Sequence, residues 1–300
     1  MDLKEEVILG DGVASHWYYR AKAAALDRVA GPAPGQVLDV GAGAGFFSRH
    51  LLRGAATGAV CVDPGYAADW DEVVAGKLLQ FRRDPPAGHA STVLMMDVLE
   101  HVDDDVALAR AYVAAAAPGT QVIVTVPAFN WMWSGHDDFL EHRRRYTLDG
   151  VRQVLRQAGL SVEGGRYLYG LLLPLAAATR LPQRLGQALG RPRVAASQMR
   201  PAGPLANAIL GAVCADPPQP PWHPTAATGR AALHAGAEHV FVRRRDGGTA
   251  ASARGKRAAA VQRMDRLVQR YATDGRLAAL GSGSVYSAQH QAVAAAGGAV

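Results

Sequence analysis

The chain has 300 residues, with 32 Lys+Arg against 26 Asp+Glu and a formal net charge of +6. That charge is segregated: residues 1–163 carry 15 basic and 21 acidic side chains, residues 164–215 carry six Arg and no acid, and residues 216–300 carry 11 basic and five acidic groups. An acidic front half excludes the even basicity of a nucleic-acid-wrapping protein, so no nucleic-acid partner is expected. Two cysteines exclude a disulfide framework or a cysteine-rich metal site. The longest charge-free apolar stretch, 167–179, contains Pro174 and falls short of the roughly 20 residues of a membrane span. The acidic start is unlike a signal peptide, and a cytoplasmic location is expected.

In chain order, residues 15–30 read as a helix, with Ser15 as N-cap and Gly31 beyond its end. Residues 36–40 form a short apolar strand running into a glycine loop, and a helix follows over 46–53, closed by Gly54. Strands are expected at 59–63, 77–82 and 91–96. A helix at 103–116 opens with three Asp that suit its positive end. The β-branched run 120–126 is the clearest strand, and 147–158 is a helix with Thr147 as N-cap. Strands at 160–169 and 238–244 complete the series.

Strand–helix alternation with continuous apolar strands argues for an α/β fold: a doubly wound, mostly parallel, seven-stranded Rossmann-like sheet. Helices cover both faces, and an insertion precedes the last strand. The organisation expected is an N-terminal helical lid (1–35), a ligand-binding catalytic domain (36–169), an apolar, basic, Pro-rich insertion (170–237), the last strand (238–245) and a flexible tail (246–300).

The run Val37-Leu-Asp-Val-Gly-Ala-Gly-Ala-Gly45 lies between a strand and a helix. Small residues there let the backbone turn sharply and let a ligand approach closely. Asp63 ends the next strand, 18 residues past Gly45, where a carboxylate can accept both hydroxyls of a ribose. A dinucleotide needs G-x-G-x-x-G and a pyrophosphate at the helix end. The third glycine comes one residue early, and Asp39 beside the loop would repel pyrophosphate and suit a cation. Charge therefore favours S-adenosylmethionine, which carries a sulfonium and an ammonium. A nucleotide-binding oxidoreductase, or a membrane-peripheral binding protein that has lost catalysis, stays open as an alternative.

This segment resembles the first motif of class I S-adenosylmethionine-dependent methyltransferases, and Cys61-Val-Asp-Pro64 resembles the second. Leu94-Met-Met-Asp-Val-Leu-Glu-His-Val102 is similar to the fourth-strand motif of the branch that includes ubiquinone- and menaquinone-biosynthesis methyltransferases. The resemblance covers about residues 15–170 and the last strand. It implies that Asp39, Gly41 and Gly43 line the methionine end of the cofactor, that Gly45 also contacts the cofactor, and that Asp63 binds both ribose hydroxyls. Asp84 would meet the adenine amino group, and Asp97 would sit at the ligand-binding end of the fourth strand.

Methyl transfer needs alignment and, for an acceptor that is protonated at the working pH, a base. His101 is one candidate. The loop 129–146 packs two Trp, two His, three acids and three Arg, and similar runs follow the fifth strand in the same branch. Within it, His136 oriented by Asp137 is a second candidate base and His142 a third. Trp131 and Trp133 are candidate walls of an acceptor pocket, and Arg144, Arg145 and Tyr146 candidate anchors for an anionic group. A self-satisfying ion-pair network is the competing reading. His136, Asp137 and His142 do not match a recognised ligand spacing, so no metal is expected. The acid-free interval suits a substrate cap, an anionic membrane surface or a solvated insertion. The expected reaction moves a methyl group to a small-molecule acceptor, most simply an oxygen of a secondary or cell-envelope metabolite.

Overall fold

The computed structural model describes residues 5, 8–86, 90–117, 119–162, 164–190, 194–214 and 239–244. The expected tail, the Pro-rich stretch and Glu238 lie outside them. Helix α1 is Trp17–Ala30, followed by β1 (Gln36–Val40), α2 (Phe46–Arg53) and β2 (Gly58–Val62). A hairpin of β3 (Trp70–Val74) and β4 (Lys77–Arg82) leads to β5 (Thr92–Met96), α3 (Asp105–Ala115) and β6 (Gln121–Pro127). Then come α4 (Gly135–Phe139), α5 (Leu148–Gln157), β7 (Gly164–Leu168), α6 (Leu173–Ala188), α7 (Pro204–Cys214) and β8 (His239–Arg244).

The strands form one sheet in the order β3-β4-β2-β1-β5-β6-β8-β7. Pairing is parallel from β4 through β6, whereas β3 runs antiparallel to β4 and β8 antiparallel to both β6 and β7. The chain reverses its direction of travel between β1 and β5, the kind of switch point at which open α/β sheets bind ligands.

Both faces are covered, which explains the unbroken apolar strands. Along β5, Leu94 and Met96 join the core beneath α1 and α2, with Leu26, Phe47, Leu52 and Phe81. Val93 and Met95 join the opposite core beneath α3 and α5, with Leu99, Tyr112, Val151 and Leu155. This period-two division lets one strand feed two cores.

The sheet has eight strands rather than seven. The additional strand, β3, turns into β4 through Ala75 and Gly76, both at positive φ (52° and 74°). Such two-residue turns usually carry Asn-Gly or Asp-Gly, and an alanine in that position hides the hairpin from a sequence reading. Trp70 fastens it by stacking on Phe81 at 4.2 Å, and Arg49 of α2 forms a two-pronged ion pair with Glu72. Ser15 is not the cap of α1. Its hydroxyl donates to the Gly12 carbonyl (3.0 Å), and the Trp17 N–H is instead taken by Asn207 of α7 at 3.0 Å. Thr147 does cap α5, accepting from the Gly150 N–H at 3.1 Å. Among the described residues, no helix is long and apolar enough to cross a membrane.

Candidate active site

The glycine loop leaves β1 at the carboxyl edge of the sheet. Gly41 and Gly45 have φ of 62° and 74°, and a Cβ at Gly41 would lie 2.8 Å from the Val98 side chain. At Gly45 it would press on Cys61 and Phe81 at 3.0–3.1 Å. Both positions therefore exclude side chains by conformation and by space. Asp63 stands at the end of β2 and is half-buried. Its two oxygens accept the N–H groups of Gly43 (3.2 Å) and Gly65 (2.9 Å), and a carboxylate oxygen has capacity for a second donor. Burial raises its carboxyl above the ordinary value against these two bonds.

Asp39 is sealed beneath the loop, 1% exposed, and accepts the Ser48 hydroxyl at 2.8 Å. Burial pushes its carboxyl up to about 6. Asp84 lies exposed in the turn after β4. Asp97 ends β5 at a φ of 58°, a strained geometry for a non-glycine residue. It is held there by the Thr125 hydroxyl at 3.0 Å and by an ion pair with Lys22, whose ammonium is fully buried.

Beside Asp97 a cavity of about 190 Å³ opens at the ends of β5 and β6. Trp17 and Tyr18 of α1 form an aromatic wall, His101, His136 and His142 contribute imidazoles, and Arg180, Gln198 and Met199 come from the insertion. His136 is engaged on both ring nitrogens. Nδ1 accepts the Gln198 N–H at 3.2 Å, so Nε2 carries the proton that faces Glu5 at 3.1 Å. Glu5 also accepts the Tyr19 hydroxyl at 2.8 Å. Burial alone would raise the Glu5 carboxyl, but the His136 and Tyr19 contacts hold it below its ordinary value.

Asp137 does not orient His136; it accepts from His142 Nδ1 at 2.9 Å and from Arg145 at 2.6 Å. Burial alone would raise Asp137, yet these two partners hold it well below the usual carboxylate range. With its Nδ1 proton on a carboxylate, His142 presents Nε2 as the nitrogen able to accept. His101 packs against it edge-on, with ring centroids 4.8 Å apart. Glu100, fully buried on the same short turn as His101, has no hydrogen-bond partner on either oxygen among the described residues. Burial, and next the charge of Asp97, push the Glu100 carboxyl well above the usual range.

A family model described as a methyltransferase domain matches residues 14–163, half of the chain, and spans the loop, Asp63, Asp97 and the three imidazoles. The chain belongs to the methyltransferase domain family. This methyltransferase is S-adenosyl-L-methionine-dependent, which sets aside the oxidoreductase reading. The residues present are compatible with that ligand: a tight glycine turn at Gly41–Gly45, a carboxylate with spare acceptor capacity at Asp63, and an acid at Asp39 buried beneath the turn.

Solved structures similar to the chain include an S-adenosylmethionine-dependent methyltransferase from Mesorhizobium loti. It has 17% identity and a TM-score of 0.40, with 61% of this chain and 96% of that one covered. Another is phosphoethanolamine N-methyltransferase 2 of Haemonchus contortus in complex with S-adenosyl-L-methionine. It has 13% identity and a TM-score of 0.44, with 81% of this chain and 56% of that one covered. No curated protein matches the chain.

Several residues expected at the methyltransferase's acceptor pocket are placed elsewhere. Trp131 and Trp133 do not line the cavity. Trp131 is exposed and stacks on Phe129, while Trp133 donates to Asp138 at 2.8 Å. The extended run 144–146 alternates its partners. Arg144 and Tyr146 both reach Asp105 at the start of α3 (3.2 and 2.7 Å), and Arg145 turns to Asp137. Arg144 and Tyr146 therefore pin the loop to α3 instead of holding an acceptor anion. Arg145 lines the cavity, with its Nε on Asp137 and its Nη1 on the Ala128 carbonyl (3.0 Å). The sequence reading missed Lys22, Glu5 and Glu100. The one available signal for Glu100 was its place in the 94–102 motif; for Lys22, a lone lysine in an Ala-rich helix carries none.

Proposed function

We propose that this methyltransferase transfers the methyl group to a hydroxyl oxygen of a small acceptor held in the cavity at the ends of β5 and β6. The observation that carries this reading is the cluster of His142, His101 and Glu100 on the cavity wall, with Asp137 fixing the His142 tautomer. A neutral hydroxyl must lose a proton on transfer, and such a cluster is the equipment for that loss. S-adenosyl-L-methionine supplies a methyl carbon activated by its sulfonium; the O–C bond forms as the C–S bond breaks.

In this reading the chain's own residues do the rest. The Gly41–Gly43–Gly45 loop lets the backbone approach the cofactor, Asp63 takes the ribose hydroxyls, and Asp84 meets the adenine amino group. Asp39 favours the cationic methionine end from beneath the loop, and Asp97 marks the junction with the acceptor. His142, with His101 beside it, takes the acceptor's proton at Nε2, whereas His136 has both its ring nitrogens occupied. Trp17, Tyr18 and the 194–200 segment cap the acceptor and exclude water. Alignment of this kind supplies roughly 7–11 kcal/mol of a displacement barrier. The run 94–102 supports placing the protein near the quinone-methylating branch.

A labelled-methyl transfer screen over phenols, sugars, quinones and lipid-linked alcohols tests the acceptor class. Label in an ether or ester methyl is the expected result, and label only in amines or carbon would overturn the oxygen assignment. His142→Gln should lower turnover about 10²- to 10⁴-fold while calorimetric affinity for S-adenosylhomocysteine stays unchanged. Full turnover in that variant would remove the cluster from the reaction.

A further inference from the structure

Glu100, His101 and His142 each offer one ligand atom, and these atoms lie within 4.8 Å of one another. We infer that the three side chains form a binding site for one divalent transition-metal ion on the wall of the acceptor cavity. The inference deepens the proposed hydroxyl-directed reaction and rests on it for its role, though not for its geometry.

Three observations converge. The first is Glu100 itself: fully buried, with neither oxygen hydrogen-bonded among the described residues. An orphaned carboxyl in a folded interior calls for a specific partner. Protonation alone does not supply one, because the neutral acid still has a hydroxyl donor and a carbonyl acceptor to satisfy. The second is the arrangement of the imidazoles. Their rings stand 79° apart in plane with centroids at 4.8 Å, so both can turn a nitrogen toward the Glu100 carboxyl without stacking on each other.

The third is the support behind His142. A metal-ligating histidine characteristically gives its other ring N–H to a carboxylate. Asp137 takes the Nδ1 proton of His142 at 2.9 Å and is itself fixed by Arg145 at 2.6 Å and by the Ser134 N–H at 2.8 Å. The turn carrying Glu100 and His101 is tied down as well, because the Glu100 carbonyl accepts the Arg143 N–H and the His101 carbonyl accepts the Arg143 side chain, both at 2.8 Å.

Two imidazoles and one carboxylate suit zinc, cobalt, iron or manganese in their divalent states, and do not suit calcium or magnesium, which prefer all-oxygen sites. Bonds of about 2.0–2.2 Å require the three atoms to draw together by about 1 Å, a rotamer-scale adjustment. Three protein ligands leave positions open toward the cavity, the arrangement of a catalytic rather than a structural site. An acceptor hydroxyl that enters such a position becomes more acidic. With the imidazole nitrogens engaged as ligands, the metal replaces His142 in the deprotonation: the acceptor's proton leaves to solvent, its oxygen forms the bond to the methyl carbon, the C–S bond breaks, and the metal stays divalent throughout.

Cobalt(II) titration of the tag-free full chain, followed by ligand-field absorption and calorimetry, tests the site. The expected result is saturable uptake of one equivalent, weakened at least about tenfold in both Glu100→Gln and His142→Ala and retained in His136→Asn. His136 lines the same cavity outside the triad, so its variant separates this site from binding by any cavity histidine. Circular dichroism and S-adenosylhomocysteine affinity report whether each variant is folded, and Glu100→Gln changes no volume. Absence of a one-equivalent transition in the intact protein, unchanged binding in folded Glu100→Gln, or equal loss in His136→Asn would each overturn the site. Cobalt uptake without S-adenosylhomocysteine binding would sink the methyltransferase reading and leave the metal site standing; the reverse result would do the opposite.

Discussion

Two carboxylates below the glycine loop illustrate how a ligand's charge is written into single residues. Asp39 is 1% exposed and accepts the Ser48 hydroxyl, so its charged form is expensive in the ligand-free protein. Its carboxyl is raised from 3.8 to about 6, so its contribution to stability is full below about pH 4 and is lost as pH rises through 6. Asp39→Asn keeps the acceptor for Ser48 and removes the charge. At pH 8 the variant should be more stable than the parent by about 1–3 kcal/mol, and the difference should vanish below pH 4 in urea denaturation. The same variant should bind S-adenosylhomocysteine and, more markedly, the cationic S-adenosylmethionine less tightly. Asp63 differs in that both its oxygens already accept backbone N–H groups. Asp63→Ala should cost about 1.5–3 kcal/mol per lost ribose hydrogen bond by calorimetry, and an unchanged affinity would remove it from the ribose.

At the scale of elements, local chemistry and tertiary contact divide the work of ending helices. Thr147 caps α5 from one residue before the helix, and the sequence alone announces it. Thr147→Ala should destabilise the protein by about 0.5–2 kcal/mol in thermal or chemical unfolding without altering cofactor affinity, since α5 packs on the face away from the glycine loop. The start of α1 is capped differently. Ser15 has the right residue type in the right place, but its hydroxyl turns back to Gly12 while Asn207, 190 residues away, reaches the Trp17 N–H. The hairpin of β3 and β4 was hidden for a similar reason. Its turn places Ala75 at a φ of 52°, and the compensation comes from packing of Trp70 on Phe81 and the Arg49–Glu72 pair, not from turn chemistry. Where an element is stabilised by its own neighbours in sequence it was legible; where the stabilising group arrives from another element it was not.

For the whole molecule, the acid-free interval after β7 changes meaning. Six arginines beside an apolar run suggested a surface for an anion, a membrane or water. Arg180 serves none of these as a free charge. It is 4% exposed and donates to the Met132 carbonyl at 2.9 Å, tying α6 to the loop that carries His136. The segment beyond α6 does the same through Ala196 N–H to Gly135 carbonyl (3.1 Å) and Gln198 N–H to His136 Nδ1. The insertion thereby forms part of the cavity wall. Arg180→Met should leave the Met132 carbonyl without its donor and cost about 1–3 kcal/mol of stability. The KM for the acceptor should rise more than the affinity for S-adenosylhomocysteine falls; equal effects on both would place Arg180 outside the acceptor side.

By itself the sequence determined most of the succession of strands and helices, the two-sided burial of the sheet, and the glycine loop with its acidic partners. Each of these depends on residue type at short spacing: period-two and period-3.6 apolar patterns, glycines where φ is positive, a cap beside its own helix. Only the tertiary structure decided which of the chemistry-bearing side chains in the 129–146 loop face one another. Asp137 lies one residue from His136 in the chain, yet the fold gives it to His142 and Arg145; Arg144 and Tyr146 belong to Asp105; and Glu100 comes to lie with His101 and His142 across a gap of some 40 positions. Ion pairs and hydrogen bonds are short-ranged and directional, so the partner is whichever group the packing of distant elements brings within about 3 Å, and nearness along the chain does not choose it.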